Sequence, residues 1–192
     1  MNIVGLLLAA GSATRFGSDK LAHRLPHGVP IAAQAARHLR AVVPNVFAVV
    51  KPGAGDLIPV LEREGCRVLV CEQAAEGMGA SLACAVRAAG RADGYLVALA
   101  DMPFVRTSSI AAVRDALVAG APLAAPYWRA RRGHPVGISG IFFEQLVASG
   151  GDEGAKGILQ ANQDRLKKVP VGDPGVIRDI DTPGDLMPPL NV

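Results

Sequence analysis

The stretch NIVGLLLAAGSATRFGSDK, residues 2–20, decides the fold. Residues 3–8 form a short Ile/Val/Leu run without alternation, the pattern of a strand buried on both faces in a parallel sheet. The loop after such a strand lies at the carboxyl edge of the sheet, where open α/β folds bind ligands. Here that loop carries Gly11 and Gly17, which permit sharp turns and close backbone approach, and two cations, Arg15 and Lys20. Successive N–H groups in such a turn form a concavity for an anion, so the stretch reads as a holder of polyphosphate. A leader peptide fits poorly, because no Lys or Arg precedes the apolar run and the run is shorter than a bilayer requires.

Outward from this strand, apolar segments and helical patterns alternate. Pro30 opens a helix over residues 31–42, and residues 45–50 form a second strand. The Gly53-Ala54-Gly55-Asp56 turn leads, with Asp56 as N-cap, into a helix that ends at Gly65. Residues 67–71 form a third strand, residues 81–89 a helix and residues 95–100 an all-apolar fourth strand. Thr107 or Ser108 caps a helix to Val118, and residues 122–126 form a short strand. A helix over 140–148 has Ile141, Phe142, Leu146 and Val147 as its apolar set. Another helix runs from the Gly-rich segment at 150–156 to Gln163, and residues 165–170 make an edge strand. Stacked βαβ units with a mostly parallel sheet follow, in one domain spanning residues 1–192.

Composition narrows the function. Among 192 residues, 20 are Lys or Arg and 17 Asp or Glu, and the resulting net charge of +3 is too small to announce nucleic acid. No stretch is long enough to span a membrane. Cys66, Cys71 and Cys84 lack metal-ligand spacing and read as reduced, mostly buried thiols of a cytoplasmic protein.

Asp101 is the next landmark, at the end of the fourth strand and before Met102-Pro103. A carboxylate there needs a partner. Magnesium is a suitable one, since it takes one or two carboxylates together with substrate phosphates and waters, while a turn or cap role is the plainer alternative. The segment from Tyr127 to Arg132 sets three arginines beside two aromatics, suited to a solvated loop or to stacking on a flat ring. Asp179 and Asp181 share a face if their segment is extended, and Asp181 is either a second metal carboxylate or the cap of a last short helix.

The pattern Leu-Ala-Ala-Gly-x-x-x-Arg-x-Gly-x-x-Lys, from Leu8 to Lys20, is neither a Walker A loop nor a dinucleotide fingerprint. It resembles the signature of the MobA-like nucleotidyltransferases, and its Ala-Ala-Gly form is most similar to the branch that includes molybdenum cofactor cytidylyltransferase. Further segments match the same family. They are Gly77-Met78-Gly79-Ala80-Ser81, Asp101-Met102-Pro103, Gly133-His134-Pro135-Val136, the run from Gly151 to Lys156 (Lys where Arg is frequent), and Asp179-Ile180-Asp181-Thr182-Pro183 (followed by Gly184 where Glu is frequent).

The resemblance implies a three-layer Rossmann-like α/β fold and transfer of CMP from CTP to a phosphate-bearing acceptor, molybdopterin, with release of pyrophosphate. It implies Mg2+ at Asp101 and Asp181, and Arg15 and Lys20 on the phosphates beside Asp101 as the catalytic set. Leu8, Ala9, Ala10, Gly11, Gly17, Gly77, Gly79 and Ser81 would complete the nucleotide site. His134 and Lys156 would face the acceptor, although His134 also suits a structural hydrogen bond, and the segment at Lys156 a plain capped helix start. Transient contact with a molybdoenzyme or its chaperone would follow. Two rivals remain: cytidylyl or guanylyl transfer to another small phosphorylated acceptor, and a non-catalytic nucleotide- or cofactor-binding module serving a partner enzyme.

Overall fold

The computed structural model describes residues 1–11, 20–151 and 154–187. Strand β1 (Ile3–Leu8) is buried at every position and lies at the centre of the sheet. It pairs in parallel with β2 (Val46–Val50) on one side and β4 (Gly94–Leu99) on the other, with Leu8 opposite Val49 and Leu99. Strand β3 (Arg67–Val70) extends the parallel set beyond β2. Past β4 lies β7 (Val136–Ser139), antiparallel, then β5 (Leu123–Trp128), to which β8 (Leu166–Pro170) adds in parallel as an edge. The two-residue β6 (Arg131–Arg132) folds back on β5. The carboxyl ends of β1, β2, β3, β4 and β5 therefore share one edge of a mostly parallel eight-stranded sheet.

Two apolar layers cover the faces, because alternate residues of each strand point to opposite sides. On one face Ile3 and Leu7 pack with α1 (Ile31–Arg40), α2 (Leu57–Arg63) and α4 (Thr107–Val118). On the other, Val4, Leu6 and Leu8 pack with α3 (Met78–Ala89), α5 (Phe143–Val147) and α6 (Lys156–Ala161). Leu6 and Leu7 are fully buried, and burying each contributes about 2 kcal/mol. The three layers are those of the expected Rossmann-like α/β fold, and the free thiols of Cys66 and Cys71 are buried while that of Cys84 is half-buried. Burial pushes the Cys66 and Cys84 thiols up to about 11. Among the described residues no helix is long and apolar enough to cross a membrane.

Several local expectations are corrected. Asp56 stands at the start of α2 but in helical backbone conformation, with no capping hydrogen bond from its side chain. Helix α3 begins at Met78, three residues earlier than the pattern suggests. Neither Thr107 nor Ser108 caps α4. The buried Asp173 does, its Oδ2 accepting from Arg106 N–H at 2.9 Å and from the Ser109 hydroxyl at 2.7 Å. The arginine-rich segment is the β5–β6 hairpin, turning through Arg129 and Ala130 at positive φ, with the Arg129 guanidinium 4.7 Å from the Trp128 ring. The helix expected over 140–148 is a 3-10 turn, Gly140–Phe142, followed by the short α5, and Ile141 is 66% exposed rather than part of the core. Asp152, the cap residue that a plain helix start before Lys156 would use, lies outside the described residues.

Candidate active site

Lys20 opens a single 3-10 turn, Lys20–Ala22, and is buried. Its Nζ donates to Asp101 Oδ2 at 3.1 Å and to Asp181 Oδ1 at 3.5 Å. Three distant parts of the chain meet at this ammonium, and backbone contacts hold them. Asp101 follows β4 by two residues, and its carbonyl accepts from Ile180 N–H at 2.9 Å. Ile180 is fully buried and anchors the segment that carries Asp181. Asp181 does not cap the last turn. The Asp185 carboxylate does, accepting from Thr182 N–H at 2.9 Å and from the Thr182 hydroxyl at 2.7 Å. That division of labour leaves the Asp181 carboxylate free to face Lys20.

The electrostatics of this cluster are unbalanced. Burial pushes the Asp101 carboxyl above its ordinary value, the Lys20 ammonium opposes the shift, and the nearby Asp179 adds to it. Two carboxylates against one ammonium leave a negative excess, which favours a further cation, most strongly at the less exposed Asp101. Among the described residues no group of three or more His, Cys, Asp or Glu gathers. The donor set is thus two carboxylates converging on one cation position, and it fits a hard divalent ion that draws its other ligands from substrate and water.

The cluster forms one wall of a cleft of about 870 Å3. Lys51 and Pro52, just past β2, and Glu72, just past β3, line it, together with Leu8, Ala10 and Gly11 past β1. Gly77, Met78 and Ser81, at the amino end of α3, line it as well. Gly77 holds φ at 121°, in the region that favours glycine. The dipole of this twelve-residue helix makes its amino end attractive to anions.

Of the expected site residues, Leu8, Ala10, Gly11, Lys20, Gly77, Ser81, Asp101 and Asp181 surround this cleft. Ala9 and Gly79 lie behind it. Ala9 is buried in the core, its N–H donating to the Val49 carbonyl at 2.8 Å. Gly79 donates to the Gly151 carbonyl at 2.7 Å, and a Cβ on it would sit 2.3 Å from the Gly150 carbonyl oxygen. Gly79→Ala is therefore expected to cost about 2 kcal/mol of stability by overpacking backbone against backbone. A urea titration checks this through a lowered midpoint with unchanged slope, and an unchanged midpoint would contradict it.

His134 stands apart from the cleft lining. Its N–H donates to the Val176 carbonyl at 2.8 Å, and the bond to Pro135 is cis. It lines a small cavity with His38 of α1, and its enclosed Nδ1 has no hydrogen-bond partner among the described residues. Burial pushes this imidazole down to about 4, so it is neutral at physiological pH. Lys156 is exposed at the start of α6, two residues after Gly154, which packs against the cleft residue Met78. Arg15 and Gly17 lie outside the described residues. Sequence reasoning missed Leu21, Lys51, Pro52, Glu72 and Met78, although Lys51 and Glu72 follow parallel strands at the same edge as Leu8.

The model of the MobA-like NTP transferase domain matches residues 5–167. The chain belongs to this family. Purine catabolism protein PucB of Bacillus subtilis (strain 168) is 31% identical over 195 residues, covering 94% of this chain and 92% of that protein. The crystal structure of Rv0371c from Mycobacterium tuberculosis H37Rv is similar with a TM-score of 0.84 at 24% identity, over 96% of this chain and 94% of that one. Its complex with manganese gives a TM-score of 0.80 at 22% identity, over 96% of each chain. At these identities the solved structures speak for the fold. In this MobA-like NTP transferase, the cleft at the carboxyl edge of the sheet is the candidate nucleotide site.

Proposed function

We propose that the protein transfers CMP from CTP to a phosphate-bearing acceptor, the molybdopterin cofactor, and releases pyrophosphate. The observation that carries this reading is the convergence of Lys20, Asp101 and Asp181 in a cleft that the amino end of α3 also lines. The triphosphate lies along the Leu8-to-Gly11 backbone, with its charge opposed by the Lys20 ammonium and by Arg15. Gly77 and Ser81, at the positive end of the α3 dipole, complete the nucleotide's cradle. Asp101 and Asp181 would hold magnesium, which when bound supplies Lewis-acid polarisation of the α-phosphoryl group.

An acceptor phosphate oxygen forms the new bond to the α-phosphorus, and the bond from that phosphorus to the β-bridging oxygen breaks, so pyrophosphate leaves with its electron pair. The acceptor oxygen is already anionic, which removes the need for a general base. Repulsion between two anions is the obstacle, and fixed cations lower it where charge builds up in the transition state. Ala10 narrows the space by the base, which supports CTP. Lys156, exposed beyond Met78, is our candidate for gripping the acceptor phosphate as a point charge. His134 is the other acceptor-side candidate, and its neutral, enclosed ring equally suits a structural hydrogen bond. The product would pass to a molybdoenzyme or its chaperone.

A pyrophosphate-release assay with molybdopterin and each of the four nucleoside triphosphates tests this reading. CTP is expected to give the fastest release. Faster turnover with GTP, or with a sugar or polyol phosphate in place of molybdopterin, would move the assignment to another acceptor or base. Magnesium-dependent CTP binding without release from any pair would make the protein a binding module.

A further inference from the structure

Lys20 is placed to do more than meet phosphate. Its ammonium occupies the position shared by the two acidic side chains, 3.1 Å from Asp101 and 3.5 Å from Asp181. Its side chain is 10% exposed, so it is held against them rather than swinging in solvent. We propose that Lys20 acts as an internal counter-ion that keeps the two carboxylates from binding a divalent cation until a triphosphate draws the ammonium away. This rests on the metal role given to Asp101 and Asp181 above.

The argument is one of competition for the same oxygens. An ammonium within hydrogen-bond distance of a carboxylate makes a charge-assisted bond, and a dication approaching that oxygen meets both the occupied lone pair and like-charge repulsion. Among the described residues two carboxylates converge here, Asp101 with 27% and Asp181 with 53% of its side chain exposed, so solvent screens the repulsion least at Asp101. A triphosphate entering the cleft brings several negative charges to the same ammonium. As Lys20 turns toward them, the Asp101 and Asp181 oxygens are released together. Linkage makes the effect reciprocal: whatever nucleotide does for metal affinity, metal does for nucleotide affinity. Metal and nucleotide would load as a unit, and the site would not be filled by metal alone.

The test is binding of Mn2+ to the nucleotide-free protein, read from the free-ion signal in electron paramagnetic resonance, with no turnover involved. Lys20→Met is expected to bind Mn2+ about tenfold more tightly than wild type, because the competing charge is gone. Lys20→Arg keeps a cation there and is expected to stay within about threefold of wild type. Thermal melts of each variant establish that it is folded. Asp101→Asn serves as the separating control. If Asp101→Asn weakens Mn2+ binding while Lys20→Met leaves it unchanged or weaker, the counter-ion role is overturned and the metal role stands. If Asp101→Asn has no effect on Mn2+ binding by the Lys20→Met protein, the metal role itself fails, and the counter-ion role with it.

Discussion

Asp101→Asn is expected to lower the rate of pyrophosphate release by about a thousandfold while leaving the protein at least as stable as wild type at neutral pH. The loss of rate follows from removing one of the two carboxylates proposed to hold the metal against the α-phosphate. The stability effect follows from the direction of the Asp101 shift. Burial outweighs the Lys20 ammonium, so the folded-state carboxyl holds its proton more tightly than in the unfolded chain. A raised carboxyl contributes stability that is fully present below the unfolded value, about 4, and is lost as pH rises through the folded value. At neutral pH the wild type has lost that contribution, whereas Asn never ionises. The melting temperature of the variant should therefore equal or exceed that of wild type at pH 7, with the difference shrinking as pH falls toward 4. A variant that melts well below wild type at pH 7 would mean that the ion pair with Lys20 dominates.

The largest stability loss is expected at Asp173, outside the cleft. This carboxylate is 3% exposed and accepts from Arg106 N–H, the Ser109 hydroxyl and, through Oδ1 at 3.0 Å, Gly175 N–H. It thus caps α4 and fixes the start of the 3-10 turn Pro174–Ile177, which leads to the segment carrying Asp181. Asp173→Ala leaves three donors without their acceptor in a nearly dry place. The expected cost is about 3 kcal/mol, a fall in melting temperature of about 9 °C for a domain of this size. Asp173→Asn keeps one acceptor oxygen and should lose less. Differential scanning calorimetry of both variants checks the order, and equal melting of Asp173→Ala and wild type would contradict the capping role.

The parallel half of the fold was legible from the sequence because its signals are local and strong. Residues 3–8, 46–50 and 94–99 are apolar runs set between helical patterns, and burial on both faces is what such runs require. The antiparallel part was not. Strand β6 is two arginines long, and its turn uses Arg129 and Ala130 at positive φ where glycine or asparagine would have signalled a hairpin. Strand β7 is only four residues, and its ladder continues into Ser139 and Gly140, whose N–H groups donate to Pro122 and Asp93, so the following helix starts late. Asp173 carries no periodic signal for its capping role, since its partners at the start of α4, Arg106 and Ser109, are 67 and 64 residues away. In the site, the pairing of Lys20 with Asp101 across 81 residues came from the family resemblance. Lys51 and Glu72 were within reach of plain physical reasoning. They follow parallel strands at the edge where Leu8 ends, and the rule applied to the first loop covers them equally.

The central claim is that the cations near Lys20 and the carboxylates of Asp101 and Asp181 meet around one divalent ion and a nucleotide's phosphates. Anomalous diffraction from crystals grown with Mn2+ and CTP tests it most directly. The account predicts a manganese peak bridging the Asp101 and Asp181 carboxylates and an α-phosphate oxygen, with Lys20 Nζ moved from the carboxylates onto the triphosphate. Manganese elsewhere, or triphosphate bound away from Lys20 while its ion pairs stay intact, would contradict it.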